Sequence, residues 1–413
     1  MMDENRVISA EDLRLVRQGK APVGLEALME LTTGLESLTD FLQEHYLQSY
    51  ISRGGSKIKF VTGRPGSGKT HFARYLAECA ASMGYLTVFF SAREVWLHDF
   101  REVYLEILRQ CDVERVLNGC ASQIIRELGY NPADIAPGQS FMAFLSERGE
   151  GDALSRGEIR TSLRRFFSKN PRLDNCFAAC CSLLTGGILG HPILEKASRD
   201  LILAYMNGDK TVKLSQMRAL GISPSGITRY NARHLLRSLS ELVQLGGWQG
   251  LFVVIDDLET LLQHSPESAI RYTRLRREDT YESIRQLIDD IDSMRYLFFL
   301  LCFDRELMDN DNYGLKSYQA LWMRIQNEVV STRFNRFSDI IDLDRYADAV
   351  CDEASLCLMS ERLAGLLRRG GMAGAAPISP ETVQSILERS QYGALGLPYL
   401  VNRSVVEGGE GHV

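Results

Sequence analysis

No apolar run in the chain reaches the roughly 18 residues that a membrane-crossing helix needs. The opening residues, Met1-Met2-Asp3-Glu4-Asn5-Arg6, carry no apolar signal region. A secreted or membrane-embedded protein is therefore not expected. Basic charge is not in excess: 47 Lys and Arg stand against 53 Asp and Glu, a formal net charge of −6. That excludes a polycation, so any nucleic-acid contact must come from a local basic surface or from partner subunits. Paired cysteine motifs are missing as well. The nine cysteines are odd in number and scattered, and their one cluster is Cys176, Cys180 and Cys181. It has no second CxxC half and no His pair, and His191 alone does not complete a metal site. A buried small-residue helix is the expected reading. Unpaired cysteines without a signal segment point to a reducing cytosol. Internal repeats are also lacking.

What remains is the composition of an ordinary globular protein, with 45% apolar and 24% charged residues over 413 positions. That length suits two or three compact units. Residues 7–50 read as two amphipathic helices parted at Gly19-Lys20-Ala21-Pro22, the second interrupted near Gly34. Five apolar strands follow at 57–62, 86–90, 251–255, 296–301 and 339–343. Helices are expected at 71–83, 94–111, 231–245, 258–264 and 280–294, and the pattern is helical from Tyr346 onward. Between Asn118 and Met217 only helical patterns occur. The plan is an N-terminal helical segment (1–50), a core in two parts (51–112 and 228–345), a helical insertion (113–227) and a C-terminal helical lid (346–413).

Gly63-Arg64-Pro65-Gly66-Ser67-Gly68-Lys69-Thr70 matches G-x-x-x-x-G-K-[ST] in full and sits between an expected strand and helix. Its glycines let backbone N–H groups cradle phosphates, helped by the positive end of the helix dipole. Lys69 supplies charge to the β- and γ-phosphates and the Thr70 hydroxyl ligates Mg²⁺. His71, next in line, is counted with the ATP-binding residues. Leu251 to Ile255 followed by Asp256-Asp257 is the partner motif, an acid at the end of a buried strand. Asp256 is the metal-side acid, with Thr70. Asp257 takes the position that orients attacking water, with Glu259 as the second candidate. ATP and Mg²⁺ are the expected cofactors. Arg271-Tyr272-Thr273-Arg274-Leu275-Arg276-Arg277 could track a phosphate backbone. Glu278, Asp279 and Glu282 follow at once, which favours a solvated helix start with local ion pairs.

The chain resembles the ATP-binding proteins of BREX phage-defence systems, of the BrxC/BrxD type, which are AAA+-like and distantly similar to origin-recognition ATPases. The likeness lies in Arg17 to Pro22 with Gly24-Leu25, Gly55 to Phe60, the glycine-rich loop, and Trp96 to Phe100 with Val103-Tyr104. It resumes at Asn231-Ala232-Arg233, the Asp256 strand, Tyr281 to Asp289 and Ser317 to Leu321. The insertion and the last 60 or so residues match poorly. The family pattern has Asp-Glu where this chain has Asp256-Asp257, which bears on hydrolysis more than on binding. The resemblance implies an α/β AAA+-like P-loop NTPase, a parallel sheet flanked by helices with a helical insertion and a helical lid. It implies an ATPase that works with other defence-system proteins, with DNA and further copies of itself as additional partners. By the AAA+ likeness, Asp304 is a candidate sensor of the γ-phosphate. Arg333 and Arg336 are candidates to reach a neighbour's site, and Arg403 is a candidate lid arginine. The competing class is an ATP-dependent switch or scaffold that hardly hydrolyses. A small-molecule kinase would need a second basic cluster near the phosphates, and none is found.

Overall fold

Alternate residues of the central strands go to opposite faces of one sheet, and helices cover both. The computed structural model describes residues 8–262, 268–325 and 335–410. Among these, β1 (Ser56–Gly63), β2 (Leu86–Ser91), β3 (Leu251–Asp256), β4 (Leu297–Asp304) and β5 (Ile340–Asp342) form a sheet in the order β2-β3-β4-β1-β5. Every pairing is parallel. Leu251, Val253 and Ile255 join one hydrophobic cluster with Leu297, Phe299 and Leu301. Phe252, Val254, Phe298, Leu300 and Cys302 join the other. Burial on both faces is why these strands read as continuous apolar runs. All five expected strands are present. Leu343 belongs to a helix instead, because the Asp342 side chain accepts from the Asp344 and Arg345 N–H groups and caps it.

The chain enters through α1 (Ala10–Arg17), α2 (Leu25–Leu31) and α3 (Glu36–Leu42), which runs into a π-helical stretch, Gln43–Ile51. Two helices were expected in this region. Gly34, at φ 76°, parts the second into α2 and α3. Beyond β1, α4 (Lys69–Ser82) leads to β2, and α5 (Phe100–Cys111) follows. Residues 94–99 do not extend α5 as expected. Asp99 caps its first turn, and the Tyr272 hydroxyl accepts from the Leu97 N–H at 3.0 Å, holding that stretch as a loop.

The block before the third strand is helical throughout: α6 (Val113–Glu127), α7 (Phe141–Glu147), α8 (Ala153–Leu163), α9 (Asn175–Leu189), α10 (Lys196–Met206) and α11 (Leu214–Ala219). Cys176, Cys180 and Cys181 are buried on α9. This block shares one continuous hydrophobic cluster with α5, α12 (Ala232–Leu245) and a face of the sheet. After β3 comes a single 3-10 turn, Leu258–Leu261, where a longer helix was expected; residues 263–267 lie outside the described ones. α13 (Arg274–Asp290) starts earlier than expected, at the Thr273 cap, so Arg274, Arg276 and Arg277 stand in its first turn. The chain continues through α14 (Arg305–Asp309), α15 (Gln319–Ile325), α16 (Leu343–Val350), α17 (Glu353–Arg369), α18 (Pro380–Tyr392) and α19 (Leu397–Glu410). Leu363, Leu366 and Leu367 of α17 and Val405 of α19 pack with Val16 of α1 and Ala27 of α2. Leu38 and Leu42 of α3 instead pack against the sheet with Phe72 and Leu76 of α4. The first fifty residues thus serve two cores.

Parallel register decides where the chemistry gathers. Gly63 lies opposite Asp304 and Ser91 opposite Asp256, so the carboxyl ends of β1 to β4 share one edge.

Candidate functional site

β1 ends at Gly63, and the chain turns sharply through Gly66 (φ 76°) and Gly68 (φ 88°), left-handed conformations that favour glycine. Gly68 caps α4 without a side-chain hydrogen bond. The first N–H groups of α4 have no intrahelical partner and, with the helix dipole, suit an anion. Lys69 is buried in that first turn. Its Nζ lies 2.6 Å from Asp304 Oδ1 and donates to Arg64 O at 3.0 Å and Gly63 O at 3.3 Å.

Across from the loop stand four carboxylates, Asp256, Asp257, Glu259 and Asp304. The Thr70 hydroxyl donates to Asp256 Oδ2 at 2.7 Å, and the Asp257 N–H donates to Asp256 Oδ1 at 2.9 Å. Asp256 is only 4% exposed, and burial first, then the Asp257 charge, pushes its pKa up to about 6. Asp257 sits at φ 61°, a left-handed conformation costing a non-glycine residue about 1–2 kcal/mol. Its carboxylate accepts from Ser91 Oγ at 2.6 Å and pairs with Arg93 Nη2 at 3.0 Å. The same Arg93 nitrogen lies 3.2 Å from Glu259 Oε1, while Glu259 Oε2 accepts from the Asp304 N–H at 3.3 Å. Burial, and then the Asp304 and Asp257 charges, push Glu259 up to about 7. Lys69 and Arg93 partly neutralise this ring of acids. The result is a half-buried, acid-rich edge facing a loop of donors, able to hold a divalent cation between itself and an anion.

The backbone of 63–70 and the side chains of Lys69, Thr70, Asp256, Asp257 and Glu259 are brought to this edge, as their spacing suggested. Other candidates point elsewhere. The Arg64 side chain reaches the Ser390 and Gly393 carbonyls at the end of α18. His71 Nε2 lies 2.8 Å from Thr32 Oγ1, and burial lowers its pKa to about 4. Arg403 pairs with Glu407 at 2.5 Å on the exposed side of α19; from that helix it is Tyr399 that meets the loop. Arg336 is exposed shortly before β5, and Arg333 lies outside the described residues. In the basic stretch, Arg274 pairs with Glu278 at 2.9 Å, and Arg276 and Arg277 stack on Trp96 and Tyr313. Sequence reasoning missed Arg93, Asp344 and Tyr399. Only the pairing of β2 with β3 brings Arg93 beside Asp257, only the pairing of β1 with β5 brings in Asp344, and only the packing of the C-terminal helices brings in Tyr399.

The family model described as BREX system ATP-binding protein BrxC/D matches residues 13–389. The chain belongs to that family. The match runs past residue 345, into the C-terminal helices where the resemblance was expected to fade. No curated protein and no solved structure matches the chain. No helix among the described residues is long and apolar enough to cross a membrane.

Proposed function

From membership of the BrxC/BrxD family, we propose that the chain is a cytosolic AAA+-type P-loop ATPase of a BREX defence system. It binds ATP with Mg²⁺, hydrolyses it to ADP and phosphate, and passes its nucleotide state to partner proteins of that system. The observation that carries this reading is the convergence of Lys69, Thr70 and Asp256 on one sheet edge, with Thr70 and Asp256 2.7 Å apart. The start of α4 and Lys69 would hold the phosphates, with Lys69 giving up its Asp304 partner to do so. Thr70 and Asp256 fit Mg²⁺, which takes hard oxygens, one or two carboxylates and substrate phosphates. When bound, the cation neutralises charge on the β- and γ-phosphate oxygens. Position along the chain favours Asp257 for orienting water, but two short contacts hold it. Glu259 has longer contacts and a pKa near 7, which suits a general base. We therefore assign the water to Glu259.

Arg336, with Arg333, is proposed to complete the site of a second copy. Support comes from the exposure of Arg336 and from Lys59, whose Nζ donates to the Phe337 and Ser338 carbonyls at 3.2 and 2.7 Å and anchors the adjoining chain. DNA, where it takes part, touches the narrow strip Arg271, Arg274, Arg276 and Arg277 only weakly, since Arg274 pairs with Glu278 and Arg276 and Arg277 lie over aromatic rings. Phosphate release tests the activity, with and without DNA and across protein concentrations. A specific rate that rises with concentration and falls in Arg336→Ala supports the shared site; a rate independent of both removes it. The second reading is an ATP-dependent switch, favoured by the single Arg93 that holds both Asp257 and Glu259. Wild-type release no higher than that of Lys69→Ala, with ATP still bound, would establish it.

A further inference from the structure

A trans peptide carries its C=O and N–H on opposite sides, so holding one group orients the other. Three peptides of the glycine-rich loop are held from its outer side. Asp344 Oδ2 accepts from the Arg64 N–H at 2.8 Å, and the carbonyl of that same peptide, Gly63 O, meets Lys69 Nζ at 3.3 Å. The Pro65 carbonyl accepts from the Gly396 N–H at 2.9 Å, and the Gly66 carbonyl from the Tyr399 N–H at 3.2 Å. The Gly66 N–H is thereby turned away from the C-terminal segment. Arg64 fastens the same elements with its side chain. Its Nε lies 3.1 Å from Asp344 Oδ1, and its Nη1 donates to Gly393 O at 3.0 Å and to Ser390 O. The fit has no slack: a Cβ on Gly66 would come within 2.4 Å of Tyr399 Cβ, and one on Gly396 within 2.4 Å of Ser67 Cα. Asp344 is buried and also meets Arg305, the neighbour of Asp304, at 3.2 Å.

We propose that Arg64 is a positioning residue: with Asp344 and the 390–399 segment it orients the peptides of the phosphate cradle, so that docking of α18 and α19 and nucleotide binding are coupled. The proposal rests on reading 63–70 as the phosphate site. A cradle oriented beforehand spends less of its binding energy on ordering itself. Coupling is reciprocal, so nucleotide tightens the docking of the segment by the same factor that docking tightens nucleotide. A partner protein that draws the C-terminal helices away would then release nucleotide.

The test uses the full chain as wild type, Arg64→Ala, Arg64→Lys and Lys69→Ala. ATP and Mg²⁺ are titrated by calorimetry, and amide exchange over 390–400 is followed by mass spectrometry. Arg64→Ala should weaken ATP about tenfold, within the usual range of coupling between sites. Arg64→Lys, which keeps the charge but not the fork, should fall between it and wild type. Nucleotide should slow exchange over 390–400 in wild type and slow it less in Arg64→Ala. Wild-type affinity in Arg64→Ala, or exchange that nucleotide leaves unchanged in wild type, overturns the coupling. If Arg64→Ala does not fold, Arg64→Lys decides on the same two readouts. Lys69→Ala separates the two readings: it should lose ATP while exchange over 390–400 without nucleotide stays as in wild type. Full ATP affinity in that variant would remove the phosphate-site reading, and the coupling with it.

Discussion

The glycine-rich loop and the ring of acids opposite it are assembled in contrary ways. The loop is eight consecutive residues whose chemistry follows from their order: glycines for the turn, Lys69 for charge, Thr70 for a hydroxyl. The acid ring draws on the ends of β3 and β4 and the turn after β3, and it is held by Ser91 and Arg93 from the end of β2. Contiguity keeps the loop's groups in register, while Asp344 and the 390–399 segment set how its peptides point. The ring is a balance of repelling charges, in which each acid's ionisation depends on its neighbours. Substitutions in the loop should therefore act on affinity, and substitutions in the ring on turnover and pH dependence.

The largest expected effect is on the loop side. Lys69→Ala should weaken ATP by about 100-fold, since a charge-assisted contact is worth up to about 3 kcal/mol. Calorimetry checks this, and circular dichroism should be unchanged. Next comes the ring. Glu259→Gln should lower turnover by about 100-fold, the scale of general-base catalysis, while ATP affinity stays within about twofold. Asp257→Asn should cost less than about tenfold by the same measure. Steady-state phosphate release separates the two, and the reverse order would return the water to Asp257.

A smaller effect follows from ionisation. Glu259 has its folded pKa raised from 4.5 to about 7, so the unfolded chain gives up this proton first. Over that window the folded state binds more protons than the unfolded one, and stability falls as pH rises, the loss being complete above about 7. Asp256, raised from 3.8 to about 6, acts with the same sign. Thermal melts without nucleotide should decline with pH more steeply in wild type than in Glu259→Gln. Parallel curves would show that the ring does not hold this proton. The smallest effect concerns the arginine stretch. Replacing Arg271, Arg274, Arg276 and Arg277 by alanine should flatten the salt dependence of DNA binding only slightly. Arg274 is already paired with Glu278, and Arg276 lies over Trp96. A large drop in slope would make this strip the main phosphate contact.

β3 and β4 were legible because burial on both faces leaves an unbroken apolar run, and no neighbouring element is needed to see one. Asp256 was legible for the same reason, as the first charge after such a run. Helix starts were less so. The onset of α5 at Phe100 depends on Asp99 and on the Tyr272 hydroxyl, far along the chain. The start of α16 at Leu343 was hidden because an apolar residue after a strand looks like more strand until Asp342 is seen to cap it.

Sequence by itself determined the parallel α/β core, the phosphate-loop signature and the two acids at the end of β3, because each rests on neighbours in the chain. Tertiary structure alone decided that Asp304 would neutralise Lys69 and that Arg93 would bridge Asp257 and Glu259. It also decided that Arg64 would leave the loop for Ser390 and Gly393, and that Tyr399 rather than Arg403 would meet the loop from α19. These contacts follow from strand order and helix packing. A side chain's charge is written in the chain, but its partner is chosen by whatever the fold brings within about 3 Å of it.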